Sequence, residues 1–240
     1  MTGFLLYEGK AAIVLLVFYL FYRFLLRKET FHRFNRVVLV GTAVLSSLLP
    51  LCIITIHKPA EFQVQVMEPD AGAADSRVLP AVQDYSQESA LDSVHATGNL
   101  SGRGEQWWHV ALFVLFCSGA VAVLVRMSVS ILSIIRIIKE SKLVGEDGGC
   151  RILVAGRDIE PFSWMKYIVL PQQDFESGST SIIAHEKAHA GNGHSIELLL
   201  VDVMSALQWF NPAIWMLRGD LQELHEYEAD DYVLRTGADI

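Results

Sequence analysis

The residues His185-Glu186-Lys187-Ala188-His189 read H-E-x-x-H. Two side chains four apart on a helix share one face, one turn apart, so both imidazoles can reach a single ion. Zinc suits such a pair, and a catalytic zinc takes three protein ligands and keeps one open position. Glu186, beside the first histidine, can hold a water and take its proton, which makes peptide hydrolysis the chemistry in view. With 8 His and 15 Glu in 240 residues, chance gives this pattern with a probability of about 0.02. The plain alternative is an exposed helix with ordinary charges. A third ligand must come from elsewhere, and Glu226 in His225-Glu226-Tyr227-Glu228-Ala229-Asp230 is the candidate. Asp230, four residues on, shares its face and can receive the free N–H of a ligating histidine, fixing that ring's tautomer and orientation. Alone, Glu226, Glu228, Asp230 and Asp231 would read as a solvated acidic face; the upstream H-E-x-x-H is the reason to read a ligand.

The elements that must position these groups are helical. Ser177 to Thr180 offers N-cap residues before Ile182-Ile183-Ala184, and Gly191-Asn192-Gly193 offers a stop. A very apolar helix is expected from Ser195 to about Trp209. Its length suits a core helix more readily than a full span, though it could lie against a bilayer. Asn211-Pro212 then starts a third helix, Asn as cap and Pro in the first turn. That helix is expected to run, with an interruption near Gly219, to Leu234 and to end at Thr236-Gly237. His194, His225 and Asp202 lie near the motifs and read as packing or supporting residues rather than ligands.

Composition places the chain in a membrane. Hydrophobic residues make up 52% and charged residues 19%, and mean hydropathy is +0.33. Three apolar segments approach or exceed the ~20 residues that span a bilayer. They are Ala11 to Leu26, extendable toward Phe4; Val37 to Ile56, containing Pro50; and Trp107 to Val125, continuing past Arg126 to about Ile138. Trp107 and Trp108 suit an interfacial belt. In the first segment the basic cluster Arg23, Arg27 and Lys28 comes at or after the apolar run and no A-x-A site follows, so it reads as a retained anchor and not a signal peptide.

The loops set the expected orientation. Arg27 to Arg36 carries four Lys/Arg in ten residues, whereas His57 to Gln106 carries three in fifty, against eight Asp/Glu. The positive-inside rule puts the short loop in the cytoplasm and the long one outside, with the N-terminus outside. The H-E-x-x-H region then lies on the cytoplasmic side. The net charge of −8, without a basic block beyond the juxtamembrane residues, argues against direct nucleic-acid binding. The long loop is polar and rich in small residues, so a flexible segment is expected. Asn99-Leu100-Ser101 fits a glycosylation acceptor, too short a match to carry weight. Cys52 and Cys117 fall in expected spans and Cys150 on the cytoplasmic side, so no disulfide framework is implied; Cys150 is a remote metal-ligand candidate.

Two strands are expected before the metal helix, Arg151 to Ala155 and Lys166 to Leu170. An edge strand beside such a helix can pair with an extended substrate backbone; equally, the pair can be a hairpin that merely packs on the helices.

Three apolar spans, a small sheet, His185-Glu186-Lys187-Ala188-His189, Trp209-Phe210-Asn211-Pro212 with Trp215, and Glu226 through Asp230 together resemble the BlaR/MecR family of membrane zinc metallopeptidases. Phe31 to Arg36 and Pro161-Phe162-Ser163-Trp164 resemble a branch of it. The resemblance covers most of the chain except the long loop. It implies a gluzincin-type site: zinc on His185, His189 and Glu226, Glu186 as general base, Asp230 as supporting carboxylate. It also implies a bacterial inner-membrane, multi-pass protein that relays an external signal to proteolysis of a protein or peptide, in family members leading to loss of a DNA-binding repressor. Family members usually carry a fourth span and often an external sensor domain. The chain stops at Ile240, so the expectation is a sequence cut short or a dispensable remainder, and β-lactam recognition is not carried over.

The expected fold is an α-helical membrane protein with an α+β, zincin-like metalloprotease domain, its small sheet and H-E-x-x-H helix bundle cytoplasmic. The expected parts are two transmembrane helices and a short cytoplasmic loop (1–56), an extracytoplasmic loop (57–106), a third transmembrane helix with its extension (107–140) and the protease domain (141–240). The expected activity is metal-dependent peptide hydrolysis that cleaves a regulator or the chain itself. A membrane quality-control protease and a non-enzymatic scaffold with a structural zinc are the alternatives; a structural site would need no base such as Glu186.

Overall fold

The computed structural model describes residues 2–27, 31–52 and 102–237. The expected long loop, its Asn99 acceptor and the end of the second apolar segment lie outside the described residues. Contacts divide the chain into Met1–Cys52 with Ala111–Ile240, and Ile53–Val110. Of the latter, the opening turns of one helix are described, and there the rings of Trp107 and Trp108 lie 3.8 Å apart.

Among the described residues, three helices are long and apolar enough to cross a membrane. α1 (Thr2–Phe21) continues through a π-helical turn over Tyr22–Leu26, closed by Arg27 N–H on the Tyr22 carbonyl. α2 (His32–Leu48) starts earlier than the apolar run and tightens into a 3-10 turn over Leu49–Leu51, because Pro50 cannot continue the α-helical ladder. α3 (Gly102–Glu140) has 39 residues, about 58 Å at 1.5 Å per residue, nearly twice a bilayer's apolar thickness. Its charged second half, with Arg126, Arg136 and Lys139, therefore extends beyond what a span requires.

A four-stranded mixed sheet follows: β1 (Lys142–Asp147), β2 (Cys150–Ala155), β3 (Phe162–Trp164) and β4 (Tyr167–Pro171), in the order β1-β2-β4-β3. β1 runs antiparallel to β2, β2 parallel to β4, and β3 antiparallel to β4. Gly148 and Gly149 make the β1–β2 turn with φ of +58° and +81°, a region closed to most side chains. β2 and β4 match the two expected strands. β1 and β3 were not legible, since β1 is largely exposed and bulged between Leu143 and Gly145, and β3 has only three residues. β4 is buried on both faces, which explains its unbroken Ile168-Val169-Leu170 run. One face packs Ile168 and Leu170 on Ile182 and Ile183; the other packs Val169 on Ile137, Ile138 and Phe162.

After a short helix, α4 (Gln172–Glu176), come α5 (Thr180–Asn192), α6 (His194–Leu207) and α7 (Pro212–Thr236). The apolar α6 packs in a core: Val201 joins Leu15 and Tyr19 of α1, Tyr22 of the π-helical turn, Leu39 and Ala43 of α2, and Ile214, Leu217 and Leu221 of α7. Asn211 caps α7, its Oδ1 accepting from Ala213 N–H at 3.0 Å, and Pro212 follows as the first helical residue. Its Nδ2 also donates to the Ala12 carbonyl of α1 at 3.1 Å. Trp209 donates to the Phe116 carbonyl of α3 at 3.1 Å. Its indole lies so close to Gly119 that an added Cβ there would overlap it. Thus Trp209-Phe210-Asn211-Pro212 ties the α6–α7 turn to two apolar helices. The expected interruption at Gly219 does not occur: α7 is continuous. A helical glycine costs roughly 1 kcal/mol, and burial of the apolar Leu217 and Leu221 on either side outweighs it.

Candidate metal centre

α5 presents His185 and His189 on one face, and the left-handed Gly193, φ +73°, ends the helix as the glycine-rich stop predicts. α7 presents Glu226 and Asp230 on the facing side. The structure brings His185, His189 and Glu226 together. His185 Nε2 and His189 Nε2 stand 3.1 Å apart; Glu226 oxygens lie 3.4 Å from the first and 3.7 Å from the second. A tetrahedral ion with bonds of about 2.0–2.1 Å needs ligand atoms about 3.3–3.4 Å apart. These distances, two of them to different oxygens of the one carboxylate, lie around that value, and two imidazoles with a carboxylate are a donor set zinc accepts, so the residues fit the metal.

Both rings are held at their other nitrogen. Asp230 Oδ1 lies 3.1 Å from His185 Nδ1, and His194 Nδ1 lies 2.8 Å from His189 Nδ1. The His185 and His189 side chains are 25% and 14% exposed, against 60% for Glu226 and 67% for Asp230. The histidines thus form the floor and the α7 carboxylates the open rim. A cavity of about 510 Å³ opens beside them, lined by Pro161, Ile182, His185, Glu186, Asp230 and Val233.

Glu186 is 8% exposed. Burial pushes its carboxyl above the usual range, opposed by a hydrogen bond from Ser163 of β3 and by the nearby His185. A carboxylate raised this way is a better proton acceptor near neutral pH. Burial likewise lowers His189 and, far more, His194, so both rings stay neutral. Cys150, the remote candidate, is buried against Ile168 and Leu170 and stands outside the cluster. Asp202 pairs with Arg218 of α7 and stands outside the cluster.

Sequence reasoning missed the polar network behind the histidines. Arg36 of α2 pairs with Glu228 at 2.6 Å and Glu197 at 3.3 Å. His225 reaches Glu197 at 2.9 Å and stacks on His194, ring centroids 3.9 Å apart. The one available signal was an arginine at the head of an apolar helix, where a charge needs partners. Breaking a buried pair by removing one partner costs about 3–5 kcal/mol. At the lower figure, Arg36→Met is expected to lower the thermal midpoint of the full chain in detergent by about 6–12 °C. Adding Glu228→Gln to it should recover part of the loss; an unchanged midpoint for Arg36→Met would remove the network from the stability account.

No curated protein matches the chain. The family model described as BlaR1 peptidase M56 matches residues 9–239, nearly the whole sequence, and the chain belongs to that family of peptidases.

Proposed function

We propose that the chain is a membrane zinc metalloendopeptidase acting at the cytoplasmic face of a bacterial inner membrane, where it relays an envelope signal by cleaving a regulator or itself. The observation that carries this reading is the convergence of His185, His189 and Glu226 beside the buried Glu186 and an open cavity. A transcriptional repressor is the regulator we favour, and an α+β, zincin-like arrangement of the 141–240 region is part of the reading.

His185, His189 and Glu226 would hold the zinc, with Asp230 fixing the His185 ring. A bound zinc supplies Lewis acidity that polarises a peptide carbonyl and acidifies water. Glu186 orients a water, takes its proton as the oxygen attacks the carbonyl carbon, and returns the proton to the leaving nitrogen as the C–N bond breaks. Ser163 anchors Glu186 from β3, the end strand of the sheet. The outer edge of β3 suits pairing with an extended substrate, which would lay a scissile bond along the cavity. Arg36 touches Glu228 and His194, so the site stands at the end of α2 that carries Arg33 and Arg36, the end the positive-inside rule assigns to the cytoplasm.

Asp230→Ala is expected to weaken zinc binding by about 10–100-fold, read by competition with a chelator; an unchanged constant would leave Asp230 with no part in holding His185. The function is tested by a whole-cell survey of new protein N-termini in cells carrying the chain or Glu186→Gln, with and without envelope stress. A small set of cytoplasmic cleavages lost in the variant supports the reading. Many membrane-protein cleavages would replace it with quality control, and identical patterns under every condition would argue for a scaffold.

A further inference from the structure

We propose that His194 is a positioning residue of the metal centre: by accepting a hydrogen bond from His189 Nδ1–H it leaves His189 Nε2 unprotonated and aimed at the ion. This rests on the reading of His185, His189 and Glu226 as a metal site. Gly193, in the left-handed region at φ +73°, turns the chain sharply between α5 and α6. His194, the first residue of α6, therefore folds back beneath His189, and their Nδ1 atoms lie 2.8 Å apart. Two neutral imidazoles at that distance share one proton: one nitrogen donates and the other accepts. If His189 donates, its Nε2 keeps the lone pair a metal needs. If His194 donates, the His189 proton moves to Nε2 and the ligand is lost.

An ion on His189 Nε2 selects the first arrangement, and the surroundings can accommodate it. With Nδ1 accepting, the His194 proton sits on Nε2, and Glu228 Oε2 lies 3.4 Å away to take it. Arg36 donates to the same oxygen at 2.6 Å and balances its charge; its Nη1, which can only donate, also stands 3.0 Å from His194 Nε2, so the first arrangement requires that N–H to turn wholly to Glu228. His194 is 2% exposed and stacked on His225 at an interplanar angle of 7°, so the ring has no room to turn. The metal helix is joined to α2, an apolar helix, through His194 and Arg36.

The test uses the full chain in lipid nanodiscs and reads zinc affinity by chelator competition, with the visible spectrum of the cobalt-loaded form as a check on coordination. His194→Phe keeps the volume and the stack but removes the acceptor; His194→Asn keeps an acceptor at the δ position. The expected result is a loss of about 10–100-fold for His194→Phe and a value within about threefold of the parent for His194→Asn, with equal melting of the metal-free proteins. His194→Phe binding like the parent, or His194→Asn falling as far as His194→Phe, would overturn the proposal. Should His194→Phe not fold, ¹⁵N shifts of labelled histidines in the zinc-loaded parent decide: a proton on His189 Nδ1 supports it, and a proton on His194 Nδ1 overturns it. A parent that binds no zinc would defeat the metal reading itself, whereas equal binding by parent and His194→Phe would defeat this inference alone.

Discussion

Glu186→Gln is expected to bind zinc as the parent does and to lose peptide hydrolysis by about 10²–10⁴-fold, the range general acid–base catalysis supplies. The amide has the shape of the carboxyl and can still accept from Ser163, but it cannot carry a proton from water to the leaving nitrogen. The substitution is also structurally mild. Burial already works against a charge at Glu186, so a neutral amide removes a desolvation cost instead of adding one. The check is cleavage of a quenched peptide library by purified full chain, with zinc per chain measured on the same samples. Hydrolysis at the parental rate by zinc-loaded Glu186→Gln would take the proton transfer away from Glu186.

Glu226→Ala is expected to weaken zinc binding at least about tenfold, because the proposed site would lose one of its three protein ligands and keep two histidines on a single helix. The Glu226 side chain is 60% exposed, so its loss should leave the metal-free fold intact, and a drop in affinity would report the ligand and not a collapse. Asp231→Ala is the matched control. Asp231 sits on the same helix, is exposed, and pairs with Arg235, outside the triangle of donors. Zinc competition on the two variants should separate them; equal affinities would return Glu226 to the solvated acidic face.

What the sequence made legible follows from periodicity and from motifs with strict spacing. The i, i+4 histidines, the Gly193 stop and the Asn211-Pro212 start are local signals, and each is decided by a few neighbouring residues. β2 and β4 were readable because buried strands are apolar runs; β1 and β3 were not, because one is exposed and bulged and the other too short for a pattern. The interruption expected at Gly219 failed because a glycine's local cost is small beside the burial around it. Least legible was the charge network. Arg36, Glu197 and Glu228 come from three helices, and no spacing rule connects residues some 160 to 190 positions apart. The same holds for His194, whose distance to His189 depends on the turn at Gly193 and not on helical period.

Everything proposed about hydrolysis depends on one ion held by His185, His189 and Glu226. Zinc-edge X-ray absorption on the zinc-loaded full chain tests that most directly. The account predicts one zinc per chain with only nitrogen and oxygen neighbours at about 2.0–2.2 Å, including the outer-ring pattern of two imidazoles. A sulfur neighbour at about 2.3 Å, which would bring in a cysteine such as Cys150, or a chain that retains no zinc, would contradict it.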